Sequence, residues 1–311
     1  MNKQLAISIL TFNRTEILKN NLISLIREAK RFNIPIYISD DSDNSLTTKM
    51  IKSLKQDYQY LFYTKNNPSL GHDKNIISCL SSIETDYIWL IGDSIIINDN
   101  AISKVLNLIE KESPTIISCN CENRIIEIES SHIVDKDYVL ENFAWHNTVT
   151  GTTIYSKKSL NNIKNLDLLE CKNFPQISII FNALNKDCSF YWINEPLISA
   201  NKEKKSYWHQ NIFETFIDDL SQCIFYLPLD YSNNLKAKVV PMHALKAKIF
   251  DLSSLLMLRS QNILNFKKFK KYYKTFRNTS RTNLLLILII SIIPKSILIR
   301  IHAYKKSSYK K

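Results

Sequence analysis

Four short apolar runs open the chain, and each stops in polar residues before a stretch of helical periodicity begins. They are LAISILTF (Leu5–Phe12), IPIYISDD (Ile34–Asp41), QYLFYTKN (Gln59–Asn66) and YIWLIGD (Tyr87–Asp93). Runs of this length, rich in β-branched and aromatic residues, suit strands buried on both faces. Between them, Ile17, Leu18, Leu22, Leu25 and Ile26 follow Thr15 at helical spacing, and Leu46–Leu54, Asn75–Ile83 and Ala101–Ile109 repeat the pattern. The alternation predicts an α/β fold of Rossmann-like build: a mixed, mostly parallel sheet flanked by helices. In such sheets ligands bind at the carboxyl ends of the strands. Thr11-Phe12-Asn13-Arg14, Asp40-Asp41-Ser42-Asp43 and Gly92-Asp93-Ser94 would therefore share one edge.

The stretch DYIWLIGDSIII sharpens this expectation, because Gly92-Asp93-Ser94 interrupts an otherwise apolar run. An unpaired carboxylate inside a buried strand costs several kcal/mol or is forced to neutralise. The interruption thus marks a strand end. Only three glycines occur in 311 residues, so neither the GxGxxG dinucleotide fingerprint nor the GxxxxGK[ST] phosphate loop can be written with Gly71, Gly92 and Gly151. Six cysteines show no disulfide framework and no signal peptide opens the chain, which reads as a cytoplasmic protein with reduced thiols.

From Thr115 to Leu197 the pattern loosens into TIISC, RIIEIE, GTTIYS and FYWIN with one helix, Pro175–Leu184, whose proline suits the first helical position. A helical region follows from about residue 206. Fourteen of the 41 Lys and Arg lie after Asp251 and none of the 29 Asp and Glu does, so the formal charge of +12 belongs to the tail. There Phe266, Phe269, Tyr273 and Phe276 recur at helical spacing among lysines, followed by LLLILIISII (Leu284–Ile293) and Pro294. Ten apolar residues fall short of the ~20 needed to span a bilayer. A basic amphipathic helix with an aromatic face beside them reads as a peripheral element on an anionic membrane surface, with a helix packed back on the domain as the alternative, and the greasy segment argues against nucleic acid as partner.

Taken together, AISILTFNR, YISDDSDN, NNPSLGHDKNI and DYIWLIGDS resemble the donor-binding half of family 2 glycosyltransferases with the GT-A fold, in particular bacterial abequosyltransferase-like enzymes of O-antigen or capsule synthesis. FPQISIIFNALNKDCSFYWINEPLIS continues the resemblance more weakly. It implies a GT-A domain over 1–205, with a nucleotide-sugar-binding half (1–112) and an acceptor half (113–205), then the helical, membrane-associating region 206–311. The implied partners are a nucleotide-sugar donor and a lipid-linked saccharide acceptor, at the inner face of the cell membrane.

On this resemblance, Phe12 walls the base slot, Asp41 accepts from the base, Thr11, Asn13, Arg14 and Asp43 support them, and Gly71 lets the backbone approach the donor. Lys74 reaches a phosphate and Asn75 holds its loop. Taken singly, Phe12 could be core filler and Asp41 or Asp43 a helix cap. Asp93 matches an acidic position of the family's DxD-like motif, where a divalent cation, Mg or Mn, bridges the diphosphate. Ser94 and Ile95 stand where further carboxylates are expected, and a neutral hydroxyl is a far weaker ligand for a hard cation. Three alternatives follow: a cation held by Asp93 and the diphosphate, its replacement by Lys74 or Arg14, or lost activity. The family's acidic pair for the inverting base is replaced by Pro175-Gln176, leaving Glu170, with Asp167 behind it, as catalytic candidates. The leading reading is an inverting glycosyltransferase, the alternative a catalytically silent binding or scaffold subunit.

Overall fold

The computed structural model describes residues 1–201, 207–294 and 297. The first third alternates as β1 (Leu5–Thr11), α1 (Thr15–Phe32), β2 (Ile36–Asp40), α2 (Leu46–Asp57), β3 (Leu61–Lys65), α3 (His72–Ser82) and β4 (Tyr87–Gly92). β5 (Ile95–Ile97), α4 (Ala101–Glu112), β6 (Ile116–Cys121), β7 (Ser131–Ile133), α5 (Lys136–Phe143), β8 (Thr153–Ser156), α6 (Pro175–Lys186) and β9 (Phe190–Ala200) follow. Among the described residues the strands form one sheet in the order β3-β2-β1-β4-β8-β6-β9-β5, with β7 on β9. β1 runs parallel to both β2 and β4, so Thr11, Asp40 and Gly92 end side by side. The fold is the mixed sheet flanked by helices that the alternation predicts, with its first four strands all parallel.

Local chemistry explains these elements. Leu5, Ala6, Ile7 and Ile9 of β1 are buried on both faces, and α1 buries Leu18, Leu22, Leu25, Ile26 and Ala29 against the sheet. That helix stops where Asn33 takes a left-handed conformation (φ 53°), which closes helix ends at little cost for asparagine.

Four details depart from the sequence reading. The isoleucines after Ser94 form a strand of their own, β5, antiparallel to the second half of β9. FYWIN is only the start of β9, which runs on to Ala200 and shifts register against β6 between Cys119 and Cys121. The bend carries its second half to β5 and closes the corner behind Asp93-Ser94. RIIEIE is a loop, not a strand. Asn120 Nδ2 donates to the Ile126 carbonyl at 3.0 Å and Asn120 Oδ1 accepts from the Ile126 N–H at 2.8 Å, so one side chain satisfies both groups that a ladder would use. Arg124 meanwhile donates to the carbonyl of Trp145 and the hydroxyl of Thr148, each at 3.0 Å. Finally, α5 is a second helix in the acceptor half, capped by Asp135, which accepts from the N–H groups of Asp137 and Tyr138.

The helical region comprises α7 (Leu220–Tyr226), α8 (Asn233–Lys246), α9 (Leu252–Ser260), α10 (Phe266–Thr279) and α11 (Leu284–Ile292). It shares one apolar cluster with α6: Ile177 and Phe181 belong with Phe213, Phe250 and Phe276. The aromatic face expected for the tail is divided. Phe276 and Tyr272 turn inward, with Phe276 centred 5.7 Å from Phe250 and Tyr272 5.7 Å from Phe213, while Phe266 and Tyr273 stay exposed. Charge fixes that rotation, since Lys268 bonds Glu214, and Asp218 accepts from Lys271 and from the Tyr272 hydroxyl, both at 2.7 Å. No helix of the described residues is long and apolar enough to cross a membrane. The basic end expected beyond Pro294 lies outside the described residues, apart from Ile297.

Since Phe276 is 1% exposed among other rings, Phe276→Ala should destabilise the protein by about 3–5 kcal/mol, the usual cost of emptying an aromatic core site. Urea denaturation measures this. A shift under 1 kcal/mol would mean that α10 is not part of the core.

Candidate active site

The end of β4 sets the site. Asp93 is 3% exposed and both of its carboxylate oxygens are met: Thr11 Oγ1 donates to Oδ2 at 3.1 Å and Arg14 Nη1 to Oδ1 at 3.2 Å. The parallel register of β1 and β4 brings Thr11 there, and the turn after β1 brings Arg14, the N-cap residue of α1. Asn21, one and a half turns into α1, donates to the Asp93 carbonyl and so pins the turn between β4 and β5. Ser94 is fully buried, its hydroxyl has no hydrogen-bond partner, and its carbonyl accepts from the Asn201 N–H at 2.9 Å.

Beside it, the end of β2 holds a loop. The Asp41 carboxylate accepts from Asn66 Nδ2 (2.8 Å), Ser69 Oγ (2.8 Å), Leu70 N–H (2.9 Å) and Gly71 N–H (2.7 Å). Burial raises the Asp41 pKa, but the bonds from Leu70, Asn66, Ser69 and Gly71 outweigh it and leave the group below the ordinary carboxylate range. Gly71 sits at φ +76° with open space where a Cβ would lie, so the backbone conformation, and not crowding, asks for glycine. Asn75 ties the same loop from α3: its Oδ1 accepts from Ser39 Oγ at 2.6 Å and from Asn66 Nδ2 at 3.3 Å. Asp40, fully buried, accepts from the Tyr63 hydroxyl at 2.7 Å and lies 3.6 Å from Lys65 Nζ.

Around this buried frame stand exposed groups. Phe12 presents its ring with 54% of the residue accessible, unusual for an aromatic at a strand end. Asn13 (φ 53°) receives Asn44 Nδ2 on its Oδ1 at 2.9 Å and gives its N–H to Ser42 Oγ at 2.8 Å. Asp43, Gly71 and Lys74 are exposed. The structure therefore gathers Thr11 to Arg14, Asp41, Asp43, Gly71 to Asn75 and Asp93 on the carboxyl edge of one sheet.

Of the two carboxylates nominated for catalysis, Asp167 is not gathered with them. Asp167 lines a hollow with Thr115 and Asp187, residues that precede β6 and β9 and so mark the opposite, amino end of the sheet. Glu170 is half-buried and accepts from Gln222 Nε2 at 3.1 Å. Another carboxylate comes closer to the edge. Asp73, in the first turn of α3, meets His72 Nδ1 at 2.7 Å and accepts from the Asn173 N–H at 3.0 Å, just ahead of α6. Asn173 Nδ2 in turn donates to Asp219 at 2.7 Å. Gln176, where an acid was looked for, is buried, donates to the Thr148 carbonyl at 3.1 Å and keeps an unpartnered Oε1. Sequence spacing gave no sign of the Asp73, Asn173 and Asp219 convergence, which only the return of the chain into α6 creates.

The donor set can be tested against a divalent cation, which asks for several hard oxygens. Asp93 offers one carboxylate, already bonded to a hydroxyl and a guanidinium. Ser94 is buried, Ile95 belongs to the core, and Asp41 is spent on its loop. Among the described residues no three His, Cys, Asp or Glu side chains converge as a metal site. The described residues do not fit the cation.

Comparison with known proteins bears on this geometry. The model of glycosyl transferase family 2 matches residues 6–167. Abequosyltransferase RfbV of Salmonella typhimurium is 24% identical over 260 residues, which span 73% of this chain and 75% of that protein. In fold the chain is similar to S. aureus TarS 1-349 in complex with UDP-GlcNAc (TM-score 0.62, 12% identity, 88% of this chain and 79% of that one). It is also similar to the mannosyltransferase PcManGT from Pyrobaculum calidifontis in complex with GDP-Man and Mn2+ (TM-score 0.55, 11% identity, 94% of this chain and 86% of that one).

The Asp41 clamp predicts a pH dependence. A carboxylate with a lowered folded pKa contributes stability above its unfolded value, near pH 3.9, and that contribution is lost as pH falls through the folded value. Asp41→Asn should therefore cost about 1–3 kcal/mol at pH 7, with the gap to the wild type narrowing as pH falls below the unfolded value of about 3.9. Urea melts across this range measure it, and a gap that stays constant down to pH 2.5 would assign no charge-dependent role to Asp41.

Proposed function

The chain belongs to glycosyl transferase family 2, and from that premise we propose that this glycosyltransferase moves a sugar, with inversion, from a nucleotide-sugar donor to a lipid-linked saccharide in bacterial surface polysaccharide synthesis. The observation that carries the reading is the convergence of β1, β2 and β4 on one edge, where the exposed Phe12 ring stands beside the frame held by Asp41 and Asp93. An exposed ring there suits stacking on a nucleobase, and the loop clamped by Asp41 brings Gly71 and Lys74 within the same edge for the ribose and phosphates. The likeness to TarS in complex with UDP-GlcNAc supports a nucleotide-sugar donor, and the likeness to abequosyltransferase RfbV supports sugar transfer.

Inversion needs a carboxylate to take the acceptor proton. Of the acids near the start of α6, Asp73 from α3 and Glu170 are the candidates, and one of them is assigned this role. The acceptor side also bears the argument for a lipid. Leu285, Leu286, Ile289 and Ile292 of α11 are exposed together beside α10, whose Lys267, Lys270, Lys274 and Arg277 face solvent. Apolar side chains next to several cations suit docking on anionic lipid at the inner face of the membrane, at about 1 kcal/mol per cation.

Two outcomes follow. Screening nucleotide sugars by thermal shift, then measuring transfer or donor hydrolysis, should identify a turned-over donor; Phe12→Ala should weaken nucleoside diphosphate binding roughly tenfold or more, the scale of one lost base stack. In the same assay Asp73→Asn or Glu170→Gln should abolish turnover with donor binding intact. Binding without any turnover by the wild type would favour a silent subunit. Separately, the protein should cosediment with phosphatidylglycerol vesicles at low salt, and the double change Leu285→Asp and Ile289→Asp should release it; sedimentation that ignores these substitutions would refute the docking face.

A further inference from the structure

The misfit between this site and a divalent cation has a positive counterpart. Where the family resemblance calls for a metal, the one carboxylate left at the end of β4 is paired with a cation of the chain itself. Arg14 Nη1 lies 3.2 Å from Asp93 Oδ1, and Thr11 holds the other oxygen at 3.1 Å. The Asp93 side chain is 3% exposed, whereas that of Arg14 is 24% exposed. The carboxylate is thus enclosed, while part of the arginine side chain remains accessible.

On the donor-site reading above, we infer that Arg14 is the cation that holds the donor's diphosphate, and that Asp93 positions Arg14 instead of coordinating a metal. The chemistry is suited to it. A guanidinium presents five N–H donors in a planar fork that matches phosphate oxygens, and it keeps its charge at any pH the protein survives. Asp93 fixes the fork from behind, so less side-chain freedom remains to be lost when phosphate arrives. The substitutions at Ser94 and Ile95 then have a common reason. Further carboxylates there would compete for the guanidinium and repel the diphosphate unless a metal stood between them. Both residues are instead buried, Ile95 in the core and Ser94 in the corner closed by Asn201. As the glycosidic bond to the donor breaks, the electron pair leaves on the diphosphate oxygen, and the Arg14 charge stabilises the departing nucleoside diphosphate.

Calorimetric titration separates this inference from the reading it rests on. CDP, UDP, GDP and dTDP, each beside its parent nucleoside, are titrated into the full-length protein in EDTA and again in manganese. The inference predicts that one diphosphate binds in EDTA with an affinity that manganese changes by less than about threefold. It also predicts that Arg14→Gln weakens that diphosphate about 10- to 100-fold, the range for a lost charge-assisted hydrogen bond, while leaving its nucleoside within twofold. Arg14→Lys, which keeps the charge without the fork, should recover part of the loss. A merely structural arginine would weaken nucleoside and diphosphate alike. Diphosphate binding that requires manganese, or that Arg14→Gln leaves unchanged, overturns the inference and leaves the donor site standing. If no diphosphate binds under either condition, the donor-site reading itself fails. Should Arg14→Gln not fold, the wild-type comparison in EDTA and manganese together with Arg14→Lys decides the matter.

Discussion

Burying a carboxylate at the end of a strand costs several kcal/mol unless donors meet it, and the edge of this sheet is organised around meeting two of them. Asp41 collects a loop, drawing the side chains of Asn66 and Ser69 and the backbone of Leu70 and Gly71 onto one group. Asp93 collects the start of α1 through Arg14 and the end of β1 through Thr11. Each carboxylate thereby becomes a structural centre whose partners build the polar edge. Phe12 lies between the two bonded neighbours Thr11 and Asn13, which is why an aromatic ring can stand open to solvent at a defined place.

How much of this could be read from the chain depends on the range over which each signal acts. Buried strands and amphipathic helices differ in period, so β1 to β4 and α1 to α4 are legible from the spacing of isoleucine and leucine alone. β5 is not, because three isoleucines after a turn look the same whether they continue a strand or start one, and their partner lies in β9 at Ile198 to Ala200. Arg124 to Glu129 alternates as a strand should. What overrides it is Asn120, whose amide supplies both bonds that Ile126 needs. In α10 the spacing allowed two neighbouring aromatic stripes, and Asp218 decides for Tyr272 by accepting from its hydroxyl and from Lys271.

The donor edge was legible for a related reason. Its residues lie within a few positions of four strand ends, so finding the strands finds the edge. The acceptor side had no such handle. Asp73 and Asn173 are 100 positions apart and meet because α3 and α6 start at the same end of the sheet, while Asn173 and Asp219, 46 apart, meet where α7 begins. Looking near Pro175-Gln176 in the sequence led to Glu170, which bonds Gln222, and to Asp167, which lines the opposite end of the sheet.

The segment Glu214–Asp219 explains how these two regions belong to one device. It is wound as a π-helical turn, a rare form that is frequent at functional sites. Asp219 faces the start of α6, where it accepts from Asn173, while Glu214 and Asp218 face α10 and bond Lys268 and Lys271. One six-residue turn therefore ties the acceptor side of the site to the basic helix that flanks the apolar α11. The rings of Phe213 and Phe216 on either side of Glu214 are buried, so the turn cannot rotate without disturbing the core. A surface that docks on lipid would then stand at a fixed angle to the sheet edge. For an acceptor carried in that lipid, a fixed angle does part of the work of orientation, since the membrane and the site present their reacting groups to each other along one direction.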